Sequence, residues 1–144
     1  TWDYLVNRGD AIRTRKLPIL DNLAETAIAN GRFGEAYDRY TEAGQVADLL
    51  KSKRQRDRFR SEASTAKMMA DLKRIVHIQP GHVLHQLSSM PQSSRVLPAT
   101  LLMTAKAWRE LGANLRAGKA VATFLTDYPD SPLANEFTMR TWCD

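Results

Sequence analysis

The sequence predicts an all-α protein built from antiparallel helix hairpins that stack on one another. Hydrophobic residues recur at helical spacing, and Gly and Pro mark the breaks between the helical segments. Strand signals are nearly absent, since the chain has neither alternating Val/Ile/Thr runs nor Asn-Gly hairpin turns. The pattern of one helix pair also returns 81 residues later, with residue 24 matching residue 105.

Length and composition indicate one globular domain over residues 1–144. The chain has 144 residues, of which 43% are hydrophobic and 26% are charged. No apolar run approaches the roughly 20 residues that cross a bilayer, so we expect no membrane partner. The chain starts at Thr1, and we expect it to be a fragment of a larger protein. Cys143 is the single cysteine, which indicates a reducing, intracellular compartment, cytoplasm or nucleus.

The first helix pair is predicted within residues 17–50. One helix runs from Leu17 to Ala29 with Pro18 tolerated in its first turn. Asn30 and Gly31 cap it, because both residues tolerate the left-handed conformation of a helix end. Its partner helix runs over 33–50. The residues predicted to be buried in the pair are Leu20, Leu23, Ala24, Ala27, Phe33, Ala36, Tyr40 and Ala43.

A second pair near the C-terminus follows the same rules. Pro98 opens a helix over 98–111, Gly112 caps it, and a partner helix runs over 114–126. Asp130 or Ser131 then caps a last helix from Leu133. This last helix carries Phe137 and Trp142.

The two pairs superimpose with small or aromatic residues where helices cross closely and a glycine at each turn. The matched positions are Ala24 with Ala105, Ala27 with Trp108, Gly31 with Gly112, Ala36 with Ala117 and Ala43 with Phe124. This pattern resembles the tetratricopeptide repeat (TPR), a helical hairpin of about 34 residues. The resemblance implies a right-handed, TPR-like superhelical solenoid with repeats at 17–50, 64–97 and 98–131, a half repeat at 132–144, and an insertion at 51–63.

The middle repeat departs from the pattern. It lacks the turn glycine, and it has Asp71 and Arg74 where small residues are expected in its first helix. Its break is Gln79-Pro80-Gly81, and a short second helix runs over 82–90. Either this repeat is degenerate, or its register is shifted locally by one or two residues. We expect the insertion 51–63 to continue one of the neighbouring helices.

Candidate catalytic and metal-binding residues are sparse. His82 and His85 lie three residues apart and His77 is close in sequence, but too few further ligands are nearby for a zinc site. Asp127 and Asp130 are more typical of turn and cap residues than of a catalytic pair. No phosphate-binding glycine loop or dinucleotide fingerprint occurs. We therefore expect no enzyme activity, no cofactor and no metal.

The net charge of +5 comes from one segment. Residues 51–60 carry six basic residues and one acidic residue, so the rest of the chain is neutral. The segment is interpreted as a solvated insertion, as a contact for an acidic protein surface, or as a nucleic-acid contact; Phe59 is its only aromatic residue for stacking. The basic residues are Lys51, Lys53, Arg54, Arg56, Arg58 and Arg60.

The resemblance also implies a concave groove, lined by the first helix of each repeat, that binds a peptide or helix of a partner. Acidic Asp21 and Glu25 would repel the C-terminal carboxylate that some similar repeat proteins grip. The chain is similar to helical scaffold subunits of the anaphase-promoting complex, so we expect a scaffold or adaptor in a multi-protein complex; the alternative is a nucleic-acid-associated helical repeat protein that uses 51–60. The predicted groove residues are Asp21, Glu25, Ile28, Met68, Leu72, Ile75, Leu102, Lys106 and Arg109.

Overall fold

The computed structural model describes residues 2–91 and 97–134, and these residues form six α-helices and no strand. The all-α prediction is thus confirmed for the described residues. The half repeat at 132–144, with Phe137, Trp142 and Cys143, lies almost wholly outside them. The helices are α1 (Trp2–Ala29), α2 (Phe33–Leu49), α3 (Lys53–Ile75), α4 (Pro80–Ser88), α5 (Pro98–Glu110) and α6 (Asn114–Asp127).

The first helix is much longer than the sequence indicated. It begins at Trp2 rather than Leu17, and Pro18 lies inside it rather than in its first turn. Proline has no N–H to donate to the carbonyl of Thr14, which normally weakens a helix interior. Leu17 and Leu20 flank the proline and are both buried, so packing on either side of Pro18 favours a continuous helix.

The basic segment is likewise part of a helix. α3 begins at Lys53, so residues 53–63 and the predicted start of the middle repeat at residue 64 lie in one continuous helix. The segment therefore continues the helix that follows it.

Three helix ends share one turn geometry. Gly31, Lys51 and Gly112 all have positive φ, at 75°, 59° and 77°. In each turn the N–H of the next residue donates to the carbonyl five residues earlier, at N···O distances of 2.8 Å, 3.0 Å and 2.9 Å. These bonds satisfy carbonyls that a helix end leaves open. Both predicted glycine caps are confirmed, and Lys51 occupies the same role without the conformational freedom of glycine.

The chain divides into two compact units. The N-terminal unit comprises residues 1–28 and 32–70, and the C-terminal unit comprises 29–31 and 71–144. In the N-terminal unit α1, α2 and most of α3 share a core in which alanines dominate, so the helix backbones can approach closely. This core contains Leu17, Leu20, Ala24, Ala27, Ala36, Tyr40, Ala43, Val46, Ala47, Phe59, Ala63 and Ala66.

In the C-terminal unit α5 contacts both α4 and α6. The α4 helix buries Val83 and Leu87, and α6 buries Ala117 and Phe124. The ring of Phe124 also meets Tyr128, with centroids 6.0 Å apart. The buried residues of α5 are Ala99, Thr100, Leu101, Leu102, Met103, Ala105 and Ala107.

The second helices begin at matched positions in the three predicted repeats. Phe33, Pro80 and Asn114 each lie sixteen residues after the first residue of their repeat, at 17, 64 and 98. Ala24 and Ala105 are both fully buried, as are Ala43 and Phe124.

The middle repeat and one leucine depart from the predicted burial. Asp71 and Arg74 are exposed on α3, whereas Met69, Leu72 and Val76 are buried, which fits a degenerate repeat as well as a locally shifted register. Leu23, predicted to be in the core, is 42% exposed, because it lies at the edge of the buried stripe of α1.

Candidate interaction surfaces

Four predicted groove residues belong to the N-terminal unit. Glu25 is exposed, whereas Asp21, Ile28 and Met68 are half-buried. Ile28 packs against the alanine-rich core. Asp21 receives a hydrogen bond from Arg58, with 3.1 Å between Nη2 and Oδ2, so its charge is neutralised by the basic segment. Glu25 is therefore the most accessible acidic residue of the set.

The other five groove residues belong to the C-terminal unit, and two of them require correction. Leu72 and Leu102 are 3% and 6% exposed, so both side chains are buried and do not line an open surface. The sequence pattern could not separate these positions, because a helix face toward a core and one toward a hydrophobic partner look alike. Ile75, Lys106 and Arg109 are half-buried.

The basic segment is partly neutralised by carboxylates of the N-terminal unit. Arg56 contacts Asp48 at 3.1 Å and Asp57 at 3.2 Å, and these hydrogen bonds raise the pKa of its guanidinium above the usual value, the bond to Asp48 most. Arg58 contacts Asp21. Neither contact was anticipated from the sequence, because Asp48 and Asp21 belong to other helices and only the tertiary fold brings them near.

Four basic residues of the segment remain open to solvent. Lys51, Lys53, Arg54 and Arg60 are exposed, and within residues 2–91 and 97–134 they make no ion pair. The first turn of α3 contains no acidic residue, so its cations lie at the positive end of the helix dipole. Together these cations make the surface around the start of α3 positive.

Tyr40 lies where the acidic and basic residues of the N-terminal unit meet. Its ring is 6.4 Å from that of Phe59, and its side chain is buried. Burial raises the pKa of Tyr40 to about 12; the carboxylates of Glu62, Asp21 and Glu25 add to the rise, whereas Arg58 opposes it. The hydroxyl therefore stays protonated in the folded protein at neutral pH.

The three histidines and the aspartate pair, which the sequence offered as candidates for chemistry, are all exposed. His77 Nδ1 is 2.8 Å from the carboxylate of Glu110, while His82 and His85 are exposed on α4. No group of three or more His, Cys, Asp or Glu side chains in the described part of the chain could hold a metal ion.

Near the end of the described residues, the backbone N–H of Leu133 donates to Oγ of Ser131 at 3.2 Å. The last helix predicted from Leu133 lies almost wholly outside the described residues, so its cap, Asp130 or Ser131, stays a prediction. Asp127 ends α6, and both aspartates are exposed.

A contact between a cation and an aromatic ring supports the hairpin that α5 and α6 form in the C-terminal unit. The guanidinium of Arg116 lies 4.7 Å from the ring centroid of Trp108, which joins the end of α5 to the start of α6. Trp108 is half-buried, whereas its matched residue Ala27 is fully buried.

Comparison with known proteins gives no relative. No family model, no curated protein and no solved structure matches this chain. Among the described helices, none combines the length and apolar character required to cross a membrane.

Proposed function

We propose that this chain is a non-catalytic protein-interaction scaffold or adaptor of TPR-like repeats that binds a peptide or helix of a partner in a multi-protein complex. The observation that carries the proposal is the recurrence of one hairpin design. The second helices begin at the same position of each predicted repeat, and Gly31 and Gly112 close two of the first helices with the same left-handed turn. Stacked hairpins of this kind form a solenoid whose first helices line a concave binding groove.

The side chains support a binding role more than a catalytic one. Glu25 is exposed on α1, Met68 is half-buried on α3, and the positive surface at the start of α3 lies in the same unit as both. A unit that exposes hydrophobic area and charges of both signs suits binding of a segment of another protein. Glu25 is the residue of the predicted groove best placed to select a partner by charge.

The test is capture of partner proteins by the immobilised chain, with cross-linking and identification of the bound proteins. Glu25→Lys reverses the charge in the predicted groove, and Asp38→Lys is the matched control, since Asp38 is exposed on α2. We expect a partner that the parent and Asp38→Lys retain and Glu25→Lys loses. The same protein retained equally by all three, or none retained above the heat-unfolded chain, contradicts the proposal.

Nucleic-acid binding through residues 51–60 is the competing function. Two of its six basic side chains, Arg56 and Arg58, are held in ion pairs, and Phe59 is buried rather than available for stacking on bases. Binding driven by phosphates weakens steeply with salt. Affinity for a labelled duplex or single strand that falls by orders of magnitude between low and physiological salt would favour this function over the scaffold.

A further inference from the structure

One side of α1 exposes a stripe of large hydrophobic residues. Ile12, Ile19 and Leu23 are 59%, 60% and 42% exposed. At 3.6 residues per turn their directions fall within about 40° of one another, and the stripe is about 17 Å long. Isolated exposed hydrophobic residues are ordinary, but these three share one side of a helix and together give that side apolar character. The stripe adjoins the side of α1 that is buried in the core, and Leu23 lies at their shared edge.

The spacing of the stripe is that of a helix–helix seam. Its residues are separated by seven and then four positions, so they occupy three of four successive positions of a heptad seam, and Lys16 occupies the fourth, between Ile12 and Ile19. An extended strand would instead place side chains on one face every two residues, or about 6.6 Å. The occupant that fits the spacing is therefore another α-helix.

The charges beside the stripe are positive and partly unneutralised. Arg8 and Arg15 lie about 50° to one side of it, seven residues apart like the isoleucines they flank. Both are exposed, and neither forms an ion pair within the described residues. On the other side, Lys16 is paired with Glu42 at 2.8 Å. Only the border with Arg8 and Arg15 thus has cations available to an incoming carboxylate.

We propose that this face of α1 docks an amphipathic helix of another protein whose hydrophobic stripe is bordered by acidic residues. A second copy of α1 fits less well, because its own border contributes Arg8 and Arg15 again and no carboxylate. An anionic membrane surface also fits less well, because the apolar stripe is narrow and a neighbouring side of α1 is packed into the core. The inference rests on the proposed binding role, but its surface is separate from the predicted groove.

The test uses two labelled synthetic helices of about three heptads, each with Leu at the seam positions. One has Glu at the flanking positions and the other has Lys. Fluorescence anisotropy with the full chain should show the Glu helix binding at least about tenfold more tightly at low salt. The variant with Ile12→Ser and Ile19→Ser should weaken this binding by about tenfold or more. Leu115→Ser is the control, because Leu115 is 76% exposed on α6 and should not affect binding.

A charge exchange keeps the proposal testable if the serine variant is unstable. The variant with Arg8→Glu and Arg15→Glu should bind the Lys helix and no longer bind the Glu helix. Misfolding cannot produce this inversion of the preference. Melting followed by circular dichroism shows whether each variant keeps the parent fold. Equal binding of both helices to the parent, or an unchanged preference after the charge exchange, overturns the proposal.

Three other results also overturn the proposal, and two of them identify a different occupant of the stripe. A dimer in sedimentation that Ile19→Ser abolishes assigns the stripe to a second copy. Binding to vesicles of anionic phospholipid that Ile19→Ser abolishes assigns it to a membrane. Failure of the Glu helix to bind while a Glu25-dependent partner is captured removes the helix-docking surface and leaves the scaffold function standing, whereas failure to capture any partner removes the scaffold function itself.

Discussion

The left-handed turn at Gly112 can be tested with Gly112→Ala, which adds a single methyl group. Gly112 has φ +77°, and a Cβ added there meets no atom within 4 Å. The effect of Gly112→Ala is therefore a pure backbone effect without a steric clash. A left-handed conformation costs an L-residue roughly 1–2 kcal/mol. Alanine also restricts the unfolded chain more than glycine does, which stabilises the folded state by about 0.4–1 kcal/mol. We expect a net loss of about 1 kcal/mol in the free energy of unfolding.

Gly118 provides the matched control for this substitution. It lies inside α6 with ordinary helical backbone, and a Cβ added there also meets nothing within 4 Å. Alanine in a helix interior is more favourable than glycine by about 0.5–1 kcal/mol, so Gly118→Ala should stabilise the protein. The same chemical change six residues further along therefore has the opposite sign.

Gly31 extends the comparison to a crowded turn. It has φ +75°, and a Cβ added there would lie 3.3 Å from Cδ2 of Leu133. Gly31→Ala combines backbone strain with a tight contact, so it should destabilise more than Gly112→Ala. The free energy of unfolding should thus decrease in the order Gly118→Ala, parent, Gly112→Ala, Gly31→Ala.

Urea unfolding followed by circular dichroism at 222 nm measures the series, with free energies obtained by linear extrapolation. The gap between Gly118→Ala and Gly112→Ala should be about 2 kcal/mol. Hydrogen exchange of the amides in α5 and α6 checks whether the loss is local to this hairpin. Gly112→Ala as stable as the parent, beside a stabilised Gly118→Ala, would refute the left-handed turn at this position.

Three further predictions follow from the N-terminal unit. Lys51→Gly should stabilise by about 0.5 kcal/mol or more, because glycine relieves the left-handed strain at φ 59°, and urea unfolding would show no gain if that strain were absent. A double-mutant cycle of Asp21→Asn and Arg58→Gln should give a coupling of about 0.5 kcal/mol that disappears in 1 M salt; a coupling of zero at low salt contradicts the ion pair. Absorbance at 295 nm should show one tyrosine titrating near pH 12, absent in Tyr40→Phe but present in Tyr37→Phe. Because the folded-state pKa of Tyr40 lies above the unfolded value of 10.0, its contribution to stability is complete below pH 10 and is lost as the pH rises through about 12.

Local signals located the helix boundaries that depend on turn chemistry. Pro98 begins α5 and Gly112 ends it, because the backbone preferences of these residues act within a few positions. The prediction for α4 was wrong by one half-turn, since the helix begins at Pro80 rather than at residue 82 and ends at Ser88. The predicted start of α1 was wrong because Pro18 is a local signal for a helix boundary. Burial of its neighbours in the core overrides that signal, and the helix continues through the proline.

The candidate surfaces were harder to predict because they depend on which helices meet. The sequence placed Asp21 in a groove and Arg58 in a separate basic insertion, yet the fold pairs them across 37 positions of the chain. Leu23 has the hydrophobicity of a core residue, but its exposure depends on the directions from which α2 and α3 approach α1. Periodicity finds the faces of a helix and does not tell which face its neighbours cover.

The pairing of charges in the N-terminal unit also limits how the basic segment can bind. Asp48 and Asp57 hold Arg56, and Asp21 holds Arg58, so these carboxylates offset the unfavourable position of cations at the start of α3. Four exposed cations remain for a polyanion. Four phosphate contacts correspond to a slope of about −3.6 in a plot of log K against log salt on duplex DNA. A steeper slope requires further cations, and recruiting Arg58 for this breaks its ion pair with Asp21 between α1 and α3.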